Sequence, residues 1–370
     1  MVRWIVMSAI ALWMIALGCV LLPGAQTSSD AKGEARTDAD VVLPSTRATD
    51  SGGLPFRSVC MQIQRLDWID KYCESMDEIA AIGADTVLLV VDTRQENGKS
   101  SRIYLDLRMT PTVSQMDTLI RHAKSIGLRV IVMPVVLLDK PRGNEWRGNM
   151  EPDSWDEWFD SYREMISHFA YICEGNGVDM LVIGSELVSS TRKRPDSWRD
   201  IIATVRGIYK GKLTYSSNWD VYADVPFWDA LDLVGMNSYW MFGKQSTNEQ
   251  PTVDQIKHRW GEIQSSLIPF IEKTGKPLFF TEVGWCSMAN MAYEPWDYTK
   301  TSPGIDLDLQ KRLYEGFFQS WQNQSALAGY SIWQWPPGEG GEDDRGYTPE
   351  GKPAMGVLKE WLGKPRWQVK

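Results

Sequence analysis

The chain has 370 residues, of which 43% are hydrophobic, so it can fill a substantial core and is neither a disordered nor a fibrous protein. Its 39 Lys and Arg against 48 Asp and Glu give a formal net charge of −9. No segment clusters basic residues, which excludes nucleic acid as an expected partner. The 18 tryptophans outnumber the 10 phenylalanines. Because Trp joins a flat apolar face to an N–H donor, this surplus suits ligand stacking as well as core packing.

Residues 1–25 have the features of an export signal, because Arg3 precedes an apolar run from Trp4 to Leu22. Three outcomes stay open for this segment: simple cleavage, lipid attachment at Cys19 within a sequence similar to a bacterial lipoprotein box, and retention as a membrane anchor. In each case the folded part is expected outside the cytoplasm, as a secreted, periplasmic or membrane-tethered protein. Residues 26–53 have no aromatic side chain and are rich in Ser, Thr, Ala, Asp and Gly, which predicts a linker.

Residues 54–370 are predicted to form a single (β/α)8 TIM barrel of the α/β class. Apolar runs rich in Val, Ile and Leu alternate with amphipathic helical patterns in eight units. No Gly-rich phosphate turn follows the first strand, which favours a barrel over a dinucleotide-binding sheet. The predicted strands are Ser58–Gln64, Thr86–Asp92, Arg129–Val136, Met180–Glu186, Leu213–Asn218, Leu231–Met236, Pro277–Glu282 and Gly329–Trp335.

The cysteine and histidine patterns do not predict a metal site or a disulfide framework. Cys60, Cys73, Cys173 and Cys286 are widely spaced in a large body, so they are expected to be structural thiols, with a pairing of Cys60 to Cys73 or Cys286 left open. The three histidines lie inside helical patterns, which makes a zinc site or a Ser-His-Asp triad improbable. No cofactor is expected.

Two predicted strands end in a glutamate, Glu186 on the fourth and Glu282 on the seventh. A carboxylate directly after a buried apolar run is costly to desolvate, and catalytic groups of such barrels lie at the C-terminal ends of strands. Gly184 and Gly284 permit close backbone approach beside them. Retaining glycosidases place two carboxyl groups about 5–5.5 Å apart, one as acid and one as nucleophile. The pair therefore predicts glycoside hydrolysis, and two unconnected loop salt bridges are the alternative.

Around these glutamates the chain resembles the clan of (β/α)8 retaining glycosidases and, within it, glycoside hydrolase family 113, which is endo-β-1,4-mannanase-like. The resemblance spans residues 56–362 and is carried by the segments Val182–Leu187, Asn237–Trp240, Phe280–Trp285 and Ile332–Trp335. It implies double displacement on a β-linked polysaccharide or oligosaccharide of the β-1,4-mannan type, with Glu186 as acid/base and Glu282 as nucleophile. Many clan members have Asn before the acid/base to bind the sugar 2-hydroxyl, and Ser185 stands there in this chain.

Other strand-end side chains are candidates for substrate or carboxylate contacts. Tyr239 could hydrogen-bond Glu282 and keep it ionised, or pack under a loop. Trp333 and Trp335 end the predicted eighth strand, and one of them could lie under the reacting sugar; both may face the barrel mouth, or one may turn into a loop. The remaining candidates for substrate binding are Asn218, Trp219, Trp285, Ser185 and Trp146.

Two further interpretations stay open at this point. The first is a non-catalytic carbohydrate-binding or cell-envelope protein that keeps the barrel. The second is a β-glucanase or transglycosylase of the same clan. The chain is expected to be a monomer.

Overall fold

The computed structural model describes residues 53–243, 250–300 and 303–370, and their strands form a closed parallel barrel. Each barrel strand pairs with the next along the chain, and the first strand also pairs with the last, which closes the sheet. The barrel strands are β1 (Phe56–Ile63), β2 (Thr86–Gln95), β3 (Arg129–Leu138), β4 (Met180–Ser185), β5 (Lys212–Ser217), β6 (Val234–Asn237), β7 (Leu278–Val283) and β8 (Leu327–Ile332). The expected (β/α)8 barrel is confirmed, whereas the predicted export signal and nearly all of the linker lie outside the described residues.

Helices surround this barrel. They are α1 (Ile69–Ala81), α2 (Val113–Ser125), α3 (Trp155–Gly175), α4 (Val188–Lys193), α5 (Pro195–Ile208), α6 (Val253–Thr274), α7 (Leu307–Trp321) and α8 (Pro353–Leu362). Their ends follow local sequence signals: α2 and α6 both begin with a capping box, and α6 ends at Gly275 in the left-handed conformation with φ 65°.

The structure shifts several strand ends relative to the sequence prediction. The β5–β6 connection, where the sequence names no helix, contains two short 3-10 turns. β2 extends beyond Asp92 to Gln95, where it pairs antiparallel with the short strand Ile103–Tyr104. β8 ends at Ile332, so Trp333 and Trp335 follow the strand rather than belonging to it.

The apolar core has two layers. Inward-facing side chains fill the barrel, among them Cys60, Leu88 and Phe279, while a larger layer lies between strands and helices. This is the packed interior that a small parallel barrel requires. The four cysteines within the described residues are free thiols. Within these same ranges, no helix has both the length and the apolar character needed to cross a bilayer.

An ion cluster lies at the N-terminal end of the barrel. The carboxylate of Asp85 is within ion-pair distance of the guanidinium groups of Arg57, Arg129 and Arg366. The Asp85 side chain is only 12% exposed. Because this end of a TIM barrel is remote from the strand ends that carry chemistry, the cluster serves stability.

Candidate active site

Both glutamates lie at the C-terminal mouth of the barrel and are buried. Glu186 follows the last residue of β4 and is 8% exposed, and Glu282 is the penultimate residue of β7 and is 6% exposed. Two buried carboxyl groups in one cleft interact strongly, because the local dielectric is low. The strands thus bring together the two residues that the sequence singled out.

Three donors converge on the carboxyl group of Glu186. The side-chain amides of Asn218 and Asn237 both donate to Oε1, at 2.7 Å and 2.6 Å. The guanidinium of Arg147 donates to Oε2. These contacts come from the ends of β5 and β6 and from the loop after β3, so three separate elements hold this side chain.

The backbone of Glu186 adopts an unusual conformation, with φ 57°. A non-glycine residue in the left-handed region carries strain that the surroundings must compensate, and such residues cluster at functional sites. Here the N–H of Glu186 donates to the Ser216 carbonyl at 2.8 Å, and the next N–H, of Leu187, donates to the hydroxyl of Tyr215 at 2.7 Å. These bonds turn the chain sharply after β4 and direct the glutamate into the cleft.

Glu282 has fewer donors. The hydroxyl of Tyr239 donates to its Oε2 at 2.8 Å, and the hydroxyl of Ser238 donates to its backbone carbonyl at 2.9 Å. Burial first, and then the negative charge of Glu186, raise the pKa of Glu282 to about 7, against the opposing effects of Tyr239 and of the charge of Arg147. Because the charge of an ionised Glu186 contributes to this value, a pKa of about 7 describes the loss of the last proton of the pair. Just below neutral pH the two carboxyl groups therefore hold one proton between them.

Trp333 is half-buried at the end of β8 and contacts both the interior of the barrel and the outer apolar layer. Gly284 makes this position possible, since a Cβ atom at Gly284 would lie 2.1 Å from the carbonyl oxygen of Trp333. In the loops that follow β5 and β7, the half-buried rings of Trp219 and Trp296 stack with centroids 6.3 Å apart.

Two of the predicted substrate-binding tryptophans do not reach the cleft. Trp335 is fully buried, and its indole N–H donates to Glu78 on α1 at 2.9 Å, so the ring points to the helical layer. Trp285 is also fully buried, with its ring edge-on to Tyr314 of α7. Both lie beyond the last residue of their strands, where the alternation of inward and outward side chains no longer holds.

The other predicted residues lie near the glutamates. Asn218 donates to Glu186, and its own Oδ1 is buried without a partner. Ser185, directly before Glu186, is 2% exposed, and its hydroxyl likewise has no partner. Trp146 is half-buried on the loop after β3, where its ring covers Gly148. Buried polar atoms without partners mark positions that substrate hydroxyl groups can satisfy.

Sequence reasoning missed Arg147, Asn237 and Trp296 as site residues. Asn237 had a usable signal, because it is the last residue of β6 and stands two positions before Tyr239. Arg147 and Trp296 lie on long loops, and their sequence neighbours carry no pattern that predicts a position in the cleft. Within the described part of the chain, no three His, Cys, Asp or Glu side chains are grouped so that they could hold a metal ion.

Comparisons with known proteins agree with this geometry. The model of Glycoside Hydrolase Family 113 matches residues 60–352. A solved structure of a β-1,4-mannanase of that family is 25% identical with a TM-score of 0.75, and the alignment covers 85% of this chain and 100% of that one. The β-mannanase AaManA from Alicyclobacillus acidocaldarius, solved with ManMIm, is 27% identical with a TM-score of 0.74, over 85% of this chain and 98% of that one.

A more distant structure shares the fold alone. The β-glucuronidase of Bifidobacterium dentium is 16% identical with a TM-score of 0.54, over 86% of this chain and 47% of that one. No curated protein matches this chain. The family match covers most of the chain and includes both glutamates. The chain therefore belongs to glycoside hydrolase family 113.

Proposed function

We propose that this glycoside hydrolase is a retaining β-1,4-mannanase in which Glu186 is the general acid/base and Glu282 the nucleophile. The observation that carries the proposal is the pair of buried carboxyl groups at the ends of β4 and β7, one held by three donors and the other by Tyr239. Similarity to two β-mannanase structures supports the substrate class.

The reaction proceeds from the form of the pair in which Glu186 carries the proton and Glu282 the negative charge. Glu186 transfers its proton to the glycosidic oxygen while a carboxylate oxygen of Glu282 attacks the anomeric carbon, so the bond to the leaving sugar breaks and an ester forms. Glu186 then removes a proton from water, the water oxygen attacks the same carbon, and the ester electrons return to Glu282. The configuration is retained because the carbon is inverted twice.

Neighbouring groups favour this course. The hydroxyl of Tyr239 orients Glu282, and burial raises the pKa of Tyr239 well above its ordinary value, so the phenol remains a donor. The backbone N–H of Trp333 donates to the carbonyl of Val283, the residue after Glu282, and the half-buried ring of Trp333 offers an apolar face suited to the reacting sugar. The stacked pair of Trp219 and Trp296 suits sugars further along the chain.

A panel of β-mannan, cellulose, xylan and mixed-linkage β-glucan tests the proposal, with release of reducing ends as the measurement. We expect activity on mannan, its loss in Glu282→Ala, and a Glu186→Gln variant that keeps turnover only on aryl glycosides with good leaving groups. Proton NMR of the first product should show the β-anomer. If Glu282→Ala is as active as the wild-type enzyme, the assignment of Glu282 as the nucleophile is wrong. Cleavage of a glucan alone would contradict the proposed substrate class.

We also propose that the enzyme acts outside the cytoplasm, on the basis of the apolar run from Trp4 to Leu22. Lipid attachment at Cys19 is the form of anchoring to test first. Cells expressing the full chain should show fatty-acid label in the wild-type protein and none in Cys19→Ala. Export without label would leave simple cleavage or an uncleaved anchor, and a protein found only in the cytoplasm would contradict the proposal.

A further inference from the structure

Arg147 brings a buried cation to the carboxylate pair. Its side chain is 16% exposed and forms an ion pair with Glu186 Oε2. Its charge also lowers the pKa of Glu282 on the other side of the cleft. A buried guanidinium is stable only where carboxylates compensate its desolvation, so Arg147 and the two glutamates form one electrostatic unit.

The loop that carries Arg147 is fixed on both sides of this residue. The backbone N–H of Trp146 donates to the Asn149 side chain at 2.8 Å. The Gly148 carbonyl accepts from the Ser189 N–H at 3.0 Å, and the Ser189 hydroxyl donates to the Met150 carbonyl at 2.6 Å. Because Ser189 lies on the helix just after Glu186, the loop and the glutamate are held in one frame.

The hydrogen-bond donors around Glu186 indicate which of its carboxyl oxygens donates and accepts the proton in the reaction. Oε1 accepts from both Asn218 and Asn237, which uses its two lone pairs. Oε2 accepts from Arg147 alone, which leaves one lone pair open. The proton therefore enters and leaves at Oε2, directly beside the guanidinium.

The negative charge of the pair moves during the reaction. Before the first step it lies on Glu282, and when the ester forms it lies on Glu186, since that residue has lost its proton. A fixed cation at the place where charge develops stabilises the transition state, as preorganised donors do in other enzymes. We propose that Arg147 is a positioning residue that fixes Oε2 of Glu186 as the proton-transfer atom and stabilises the charge that arrives there in the first step.

This assignment rests on the proposed acid/base role of Glu186. Other titratable groups also act on the unit, and all of them are buried except Tyr298, which is 49% exposed. Tyr298 and Asp92 interact electrostatically with Arg147, and Asp92 is also paired with Arg94. Tyr239, Tyr347 and Cys60 interact electrostatically with Glu282. Burial raises the pKa values of these tyrosines and of Cys60, so they stay neutral near pH 7.

The test compares Arg147→Gln, Arg147→Lys and the control Arg94→Gln on two substrates. One is a β-1,4-mannooligosaccharide, whose leaving sugar needs a proton, and the other is a dinitrophenyl β-mannoside, whose leaving group does not. Arg94 is a suitable control because it is a buried arginine at the same rim whose partner, Asp92, is 3.1 Å away and is not one of the reacting carboxyls. Circular dichroism and thermal midpoints establish that each variant is folded.

We expect Arg147→Gln to lower kcat/KM about 100-fold on the oligosaccharide and less than about tenfold on the aryl glycoside, since only the first reaction charges Glu186. The alkaline limb of its pH profile should move upward by about one pH unit, because the pKa of Glu282 rises further without the cation. Arg147→Lys should show part of the wild-type behaviour in both measurements. Arg94→Gln should change neither the ratio of the kcat/KM values on the two substrates nor the alkaline limb of the pH profile.

Equal losses on both substrates, with an unmoved alkaline limb, would overturn the role of Arg147 while leaving the proposed function intact. An Arg147→Lys variant with the behaviour of Arg147→Gln in both readouts would also contradict the charge argument. If the wild-type enzyme cleaves neither substrate, the proposed function itself fails, and the assignment of Arg147 fails with it.

Discussion

Replacing Glu282 by Gln should stabilise the protein at alkaline pH. The pKa of Glu282 is raised from its ordinary value of 4.5 to about 7 by burial and by Glu186. Between these two pH values the unfolded chain releases the proton while the folded protein keeps it, so stability falls as the pH rises. A difference of this size corresponds to about 3 kcal/mol that folding loses when both carboxyl groups ionise. Glutamine keeps the shape and accepts the Tyr239 hydrogen bond without taking a charge.

The assay is thermal or denaturant unfolding of wild-type and Glu282→Gln proteins at pH 4 and at pH 8. At pH 4 the glutamate is mostly neutral in both states, so the comparison there measures mainly the effect of the changed side chain. At pH 8 the variant should gain up to about 3 kcal/mol relative to that reference, which is several degrees in the thermal midpoint. The same stability difference at both pH values would refute the reasoning, because it would show that Glu282 ionises as easily in the folded protein as in the unfolded chain.

Three further predictions concern residues at the two ends of the barrel. Tyr239→Phe removes the donor to Glu282 and so raises the pKa of that carboxyl. The alkaline limb of the kcat/KM pH profile should therefore move to higher pH, and an unchanged limb would contradict the hydrogen bond. Gly284→Ala places a Cβ atom 2.1 Å from the Trp333 carbonyl, so we expect lower activity and a lower thermal midpoint, with wild-type kinetics as the contrary result. Asp85→Asn removes the counter-charge of three arginines and should cost about 3–5 kcal/mol in unfolding experiments without changing KM. An effect below about 1 kcal/mol would mean that the cluster acts as a surface salt bridge.

The barrel and its two glutamates could be predicted because their signals are local in sequence. Buried parallel strands appear as continuous apolar runs, and Glu186 and Glu282 interrupt or end two of these runs. The alternation of inward and outward side chains along a strand was a weaker guide to the direction in which the tryptophan rings point. Trp335 and Trp285 lie past the ends of β8 and β7, where the backbone leaves the strand conformation, and both turn into the helical layer.

The eight-unit barrel, the rim with Glu186 and Glu282, and the family they indicate can all be inferred from the amino-acid sequence, because hydrophobic periodicity and strand-end residues are properties of short segments. The arrangement of charges in the cleft depends on how the loops fold in three dimensions. Arg147 stands 39 residues before Glu186, and Asn218 and Asn237 follow it on two later strands. They converge on Glu186, whereas Glu282 receives a single phenol, and burial and then the charge of Glu186 raise the pKa of Glu282. Electrostatic partners of this kind depend on distances through space that loop conformations set, and no periodicity of the chain encodes them.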